Sequence, residues 1–274
     1  MDVGDDYFNE LYYNSIAFDL MIEVKNLEKS FNGVKVLKGV STIFETGKTN
    51  LIIGQSGSGK TVLLKSLLGI HKPEVGTISF DGRIYGEFSA DEKRELRTEI
   101  GMVFQGSALF DSMTVQENVA FPLRMFTNNS KSEIKDRVDF VLKRVNLINA
   151  EKKLPSEISG GMQKRVAIAR AIVNNPKYLF CDEPNSGLDP NTSILIDNLI
   201  KEITEEYNIT TVINTHDMNS VMEIGEKILF LKNGLKAWEG TKDEIFKTDN
   251  EAVIEFVYSS NLFKKVREAQ NKMG

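Results

Sequence analysis

The eight residues Gly54-Gln55-Ser56-Gly57-Ser58-Gly59-Lys60-Thr61 constrain this chain more than any other stretch. They fit G-x-x-x-x-G-K-[ST], and they lie in the context that pattern requires. The short apolar run Thr49-Asn50-Leu51-Ile52-Ile53 precedes them and reads as a strand; Lys60 to Leu68 follows and reads as a helix. Glycines let the backbone curl until several N–H groups face one point, and a helix N-terminus adds a field that favours anions. Lys60 is placed to reach the β- and γ-phosphates of a nucleotide, and the Thr61 hydroxyl to bind Mg²⁺.

The flanking sequence supplies the rest of an α/β core. Ile22-Glu23-Val24 alternates, and Gly33-Val34-Lys35-Val36-Leu37 follows a turn at Asn32-Gly33. Tyr178 to Cys181 and Thr210 to Ile213 read as buried strands, and Ser193 to Ile203 is amphipathic. A stretch from about Arg94 to Asn175 reads as mostly helical; the run opening at Ser132-Glu133-Ile134 puts Ile134, Val138, Val141, Leu142 and Val145 on one face. Strands alternating with helices argue for a parallel sheet, with the helical insert as a subdomain. A length of 274 residues suits one large domain with such an insert.

Two carboxylates follow the strand at Tyr178. Asp182 is placed to hold Mg²⁺, and Glu183 to orient and polarise an attacking water as general base. His216, just past the strand at Thr210, can hydrogen-bond the terminal phosphate. His71 has no such context and reads as a surface residue.

Composition narrows the class. The net charge of −5 argues against a nucleic-acid partner. The single cysteine, Cys181, allows no internal disulfide and fits a reducing cytosol. No apolar run approaches the ~18 residues of a membrane helix. Residues 1–20 begin with acids rather than the basic and apolar regions of a signal peptide, and read as a tail or a docking peptide.

These motifs, in this order, resemble the ATP-binding cassette family, over roughly Ile22 to Gly240. The decisive addition is Ile158-Ser159-Gly160-Gly161-Met162-Gln163-Lys164-Arg165, which is similar to the family's signature. Read physically, it is a second anion site: a serine hydroxyl and glycine N–H groups opening a helix from Met162 to Val173. The resemblance implies a P-loop NTPase cassette with a RecA-like core, a β-subdomain and a helical signature subdomain at about 94–175, within an ATPase domain at 21–240. Residues 241–274 would form a C-terminal helical extension. It further implies that Ser159, Gly160 and Gly161 cap an ATP held by the loop of a second copy, in a head-to-tail homodimer that hydrolyses ATP. Gln105 resembles a glutamine that touches Mg²⁺ and the membrane partner. Asp189 resembles the aspartate of a loop crossing the dimer interface, and Phe31 an aromatic that stacks on adenine. The implied ligands are ATP and Mg²⁺. The implied site is a cytoplasmic membrane face, reached through a transmembrane permease.

Phe104 to Val115, then Glu117 to Arg124, together with Met162, resemble more narrowly the Mla-type ATPases. Those work with MCE-domain lipid-binding proteins and move phospholipids between bacterial membranes. The expected function on that resemblance is ATP-driven phospholipid transport; the alternative is import of a small solute such as an amino acid. Leu109, Phe110, Met113, Val115 and Phe121 suit a groove for a permease helix.

Overall fold

The computed structural model describes residues 21–258. The expected tail at 1–20, and the end of the C-terminal extension from 259 on, lie outside them.

The described residues open with a long hairpin, β1 (Met21–Phe31) and β2 (Val34–Glu45), turning at Asn32-Gly33. It continues into β3 (Thr49–Ile53), all five residues of which are buried. Helix α1 (Lys60–Leu67) follows the glycine loop, then β4 (Val75–Phe80), β5 (Arg83–Ile84) and α2 (Ala90–Thr98). Next come β6 (Ile100–Val103), α3 (Val115–Phe126), α4 (Lys131–Arg144) and α5 (Gly160–Ile172). The second half alternates β7 (Tyr178–Asp182), α6 (Pro190–Glu206), β8 (Thr210–Thr215) and α7 (Met218–Ile224). It closes with β9 (Lys227–Lys232), β10 (Leu235–Gly240) and α8 (Glu251–Val257).

Two sheets result. A four-stranded antiparallel sheet runs β2-β1-β4-β5, and a six-stranded sheet runs β10-β9-β3-β8-β7-β6. In the latter, β9, β3, β8, β7 and β6 are parallel and only β10 runs against its neighbour. Because successive side chains on a strand face opposite ways, β3 serves two cores at once. Ile52 joins Phe180, Val212 and Leu229 beneath the antiparallel sheet and α1. Leu51 and Ile53 join Cys181, Ile213 and Phe230 beneath the helices.

Three expectations are refined. The mostly helical stretch at 94–175 is interrupted by β6, which pairs with β7 as the edge of the core sheet. Gly101 permits this, since a Cβ there would lie 2.4 Å from the Ala171 carbonyl oxygen, so α5 packs directly on the strand. The helical insert proper therefore begins at Val115. Nor does the core end near 240: Val253, Phe256 and Val257 of α8 are buried in the same cluster as the sheet. The periodic run also starts slightly earlier than Ser132, because Ser130 caps α4 and forms a reciprocal box with Glu133. Among the described residues, no helix is long and apolar enough to cross a membrane.

Candidate nucleotide-binding site

The buried strand β3 sits between β8 and β9 and delivers the glycine loop to the carboxyl edge of the sheet, where ligands bind in open α/β folds. Gly54 adopts φ +151°, and a Cβ there would lie 2.3 Å from the Leu231 carbonyl oxygen, so no other residue fits. Lys60 is 6% exposed. Its ammonium donates to the carbonyl oxygens of Gly54 at 2.8 Å and Gln55 at 3.1 Å. Burial lowers its pKa, and the nearby Glu183 and Asp182 carboxylates partly offset this. Around the loop opens a cavity of about 710 Å³. Gln55, Ser56, Gly57, Gly59, Lys60 and Thr61 form its floor; Gln105, Glu183 and His216 reach in from other loops. Gly54 and Ser58 lie behind it: the Ser58 hydroxyl is buried with no partner among the described residues, and its backbone accepts from Gly234 N–H.

Three side chains predicted from separate parts of the sequence meet here. Glu183 follows β7 in the left-handed region, φ 46°, and its amide donates to the Asn214 carbonyl at 2.8 Å. One carboxylate oxygen lies 3.0 Å from His216 Nδ1; the other accepts from Gln105 Nε2 at 3.3 Å. Gln105 Nε2 also reaches the Ser186 hydroxyl at 3.2 Å. A left-handed backbone on a glutamate is costly, of the order of 1–3 kcal/mol, and such strain collects where a side chain must be aimed.

The Asp182 carboxylate stands at the end of β7. It accepts from Asn214 Nδ2 at 2.6 Å, and the same amide lies 3.4 Å from the Thr61 hydroxyl. One asparagine, 1% exposed, thus spans two of the three expected metal ligands, Thr61 and Asp182. Among the described residues, no group of three His, Cys, Asp or Glu could hold a metal ion by itself. A hydroxyl and a carboxylate, both hard oxygen donors, fit Mg²⁺ of the kind that takes its remaining ligands from water and phosphate.

The serine-glycine motif lies away from this cavity. Ser159 caps α5, accepting from the Met162 amide at 3.3 Å. A Cβ at Gly160 would sit 3.8 Å from Leu188 Cδ2, and one at Gly161 would sit 2.8 Å from Thr192 Cγ2. The motif therefore borders the loop after β7 and the first turn of α6, not the glycine loop of its own chain. Asp189, on that neighbouring loop, caps α6 by accepting from the Thr192 amide at 3.0 Å and its hydroxyl at 2.5 Å. Those bonds, the hydroxyl's first, hold its carboxyl below the usual range. Phe31 also stands outside the cavity walls. It is 39% exposed, with His71 edge-on at 5.0 Å and the Lys29 ammonium 5.2 Å from its ring centroid. His71 is accordingly half-buried against an aromatic ring rather than a bare surface residue. The apolar residues lining the cavity are Val36, Val62 and Phe256.

Several residues of this neighbourhood were not legible as site residues in the sequence: Asn214, Phe256, Lys164 and Asp197. Asp197, on α6, lines a second cavity of about 610 Å³ with Asn185, Asp189's neighbour Leu188, and His216. It is 2% exposed, and burial pushes its pKa up to about 6 against bonds from Ser220 and Asn185. Cys181 is fully buried in the core, and burial pushes its thiol up, away from reactivity.

A family model described as ABC transporter matches residues 37–186. The chain is 41% identical over 236 residues to a probable ribonucleotide transport ATP-binding protein, mkl, of Mycobacterium leprae, a match covering 86% of this chain and 68% of that one. It is 42% identical over 229 residues to the methionine import ATP-binding protein MetN of Carboxydothermus hydrogenoformans, covering 82% and 68%. This chain therefore spans about two thirds of the length of such relatives. Among solved structures, a dimeric ATP-binding cassette in a post-hydrolysis state bound to ADP and Pi superposes with a TM-score of 0.72 at 34% identity, covering 81% of this chain and 98% of that one. The structure of cbiO1 from Clostridium perfringens, part of the ABC transporter complex cbiONQ, gives 0.79 at 32% identity, covering 92% and 99%.

Proposed function

The chain belongs to the ABC transporter family as an ATPase cassette, and from that premise we propose that it powers import of a small solute by hydrolysing ATP between two copies of itself. The observation that carries the hydrolytic part is the meeting of Lys60, Gln105, Glu183 and His216 on one cavity. The import part is supported by relatives named for methionine import and ribonucleotide transport. A separate permease supplies the membrane spans and holds the cassette at the cytoplasmic face of the inner membrane.

In this reading the phosphates take over the Lys60 ammonium from the Gly54 and Gln55 carbonyls. Phe31 offers a ring to the base. Thr61 and Asp182, with Gln105 nearby, would hold Mg²⁺, which would supply positive charge to the reacting phosphoryl oxygens. Glu183 receives a proton from the attacking water, and His216, already against its carboxylate, donates toward the terminal phosphate. Ser159, Gly160 and Gly161 of the second copy close the site, with Asp189 at the seam. The catalytic gain comes mostly from positioning and charge.

A second reading, phospholipid transport with an MCE-domain partner, is supported by the likeness of Phe104 to Arg124 and Met162 to the Mla-type ATPases. That segment lines an apolar groove with Ile100, Phe104, Phe110, Phe121 and Phe126 beside Arg170, which suits a permease helix in either reading. Purification of the intact membrane complex separates the two. A copurifying solute-binding protein supports import; an MCE-domain protein with bound lipid supports the second reading.

The hydrolytic assignment has its own test. Lys60→Ala abolishes tight ATP binding. Glu183→Gln keeps binding and loses turnover by a factor on the order of 10² or more. Steady-state phosphate release near the wild-type rate in Glu183→Gln removes Glu183 from the role of base.

A further inference from the structure

Helix α5 grips the loop that carries Gln105 at three backbone carbonyls. The Lys164 ammonium donates to the Gln105 carbonyl oxygen. The Arg170 guanidinium donates to the carbonyls of Ser107 and Ala108, each at 2.7 Å. The gripped segment is bent: Ser107 and Ala108 both lie at positive φ, 61° and 47°. Two successive non-glycine residues in that region persist only when their surroundings hold them there.

Lys164 is 4% exposed, and burial lowers its pKa. Among the described residues no carboxylate pairs with it, and its acceptor is a single carbonyl. Burying an unpaired ammonium is costly, and a methionine of similar length would fill the same space without that cost. Packing therefore does not explain the lysine, whereas its acceptor does. The residue it holds by the backbone extends its side chain toward Glu183 at 3.3 Å and Ser186 at 3.2 Å. Ser159 caps the same helix one turn and a half upstream.

We infer that Lys164 is a positioning residue for hydrolysis: by fixing the Gln105 carbonyl against α5 it sets the reach of the Gln105 amide toward Glu183, with Arg170 as the second clamp on the loop. The inference rests on the reading of Glu183 and Gln105 as members of the hydrolytic set. It also joins the helix headed by the serine-glycine motif to the loop at the catalytic carboxylate, so displacement of one is felt by the other.

A double-mutant cycle on the full chain tests it, with kcat for ATP, ATP affinity and melting temperature as readouts. Lys164→Met is expected to lower kcat about tenfold, leave ATP affinity within about twofold, and leave the melting temperature unchanged or higher. Gln105→Ala is expected to lower kcat similarly, and the double variant to be no slower than Gln105→Ala alone, because both act through one amide. Lys164→Arg, which keeps a donor, is expected to recover most of the loss and keeps the test decisive if the methionine variant folds poorly. A wild-type kcat for Lys164→Met, or losses that multiply in the double variant, overturns the inference. Unimpaired turnover of Glu183→Gln would instead overturn the underlying reading, whatever the cycle shows.

Discussion

Asn214 was invisible as a site residue because in one dimension it is one polar residue between an apolar strand and Thr215-His216. In three dimensions β8 pairs with β7 in a register that sets Asn214 opposite Asp182, and β3 brings the glycine loop alongside. Outer-shell partners of metal ligands tune affinity by tenfold or more. Asn214→Leu is therefore expected to raise the Mg²⁺ concentration for half-maximal ATP binding about tenfold in a Glu183→Gln background, with ATP binding in EDTA unchanged. Titration of nucleotide binding against metal measures it. Asp197 carries the pH prediction. Its folded pKa of about 6 lies above an ordinary 3.8, so the fold favours the protonated acid. The stability it contributes is full below the ordinary value and is lost as pH rises through about 6, a loss of about 3 kcal/mol at pH 7. Asp197→Asn keeps the shape without the charge. Its melting temperature should exceed that of the wild type at pH 8, with the gap closing toward pH 4. By contrast Lys60 and Thr61 were legible because a glycine loop with their spacing joins a clean apolar strand to a helix, and Asp182, Glu183 and His216 because each lies at or just past the end of a strand that its own sequence announces.

Among the elements, legibility followed length and periodicity. The glycine-loop strand and α1, β7, β8 and the amphipathic α6 were readable because each is a clean run between breakers. The four-residue β6 was not: it follows directly on the end of α2, and its pairing with β7 is a tertiary fact. Helix α8 was read as an appendage, yet its apolar face completes the core beside the phosphate loop. Phe256 is 9% exposed, packs 5.0 Å from Phe230 ring to ring, and walls the phosphate cavity. Phe256→Ala is expected to destabilise the protein by about 3 kcal/mol, read by chemical denaturation, and to weaken ATP binding as well. An intact affinity at unchanged stability would return α8 to the status of an appendage.

The whole molecule keeps the serine-glycine motif and its own phosphate loop apart, which is the arrangement that a site shared between two copies requires. Mixing tests this directly. A chain with Lys60→Ala and a chain with Ser159→Arg are each inactive, but a mixed pair holds one intact site. Equal mixing should restore roughly a quarter of wild-type phosphate release if pairing is random. No recovery would place both halves of the site in a single chain. Lys60 donates to the Gly54 and Gln55 carbonyls, so the loop's own backbone is tied by its own side chain and little disorder remains to be frozen out on capture of a nucleotide. Uptake of nucleotide is then set by diffusive encounter, and differences in affinity among variants of this loop should surface as differences in how long the nucleotide stays.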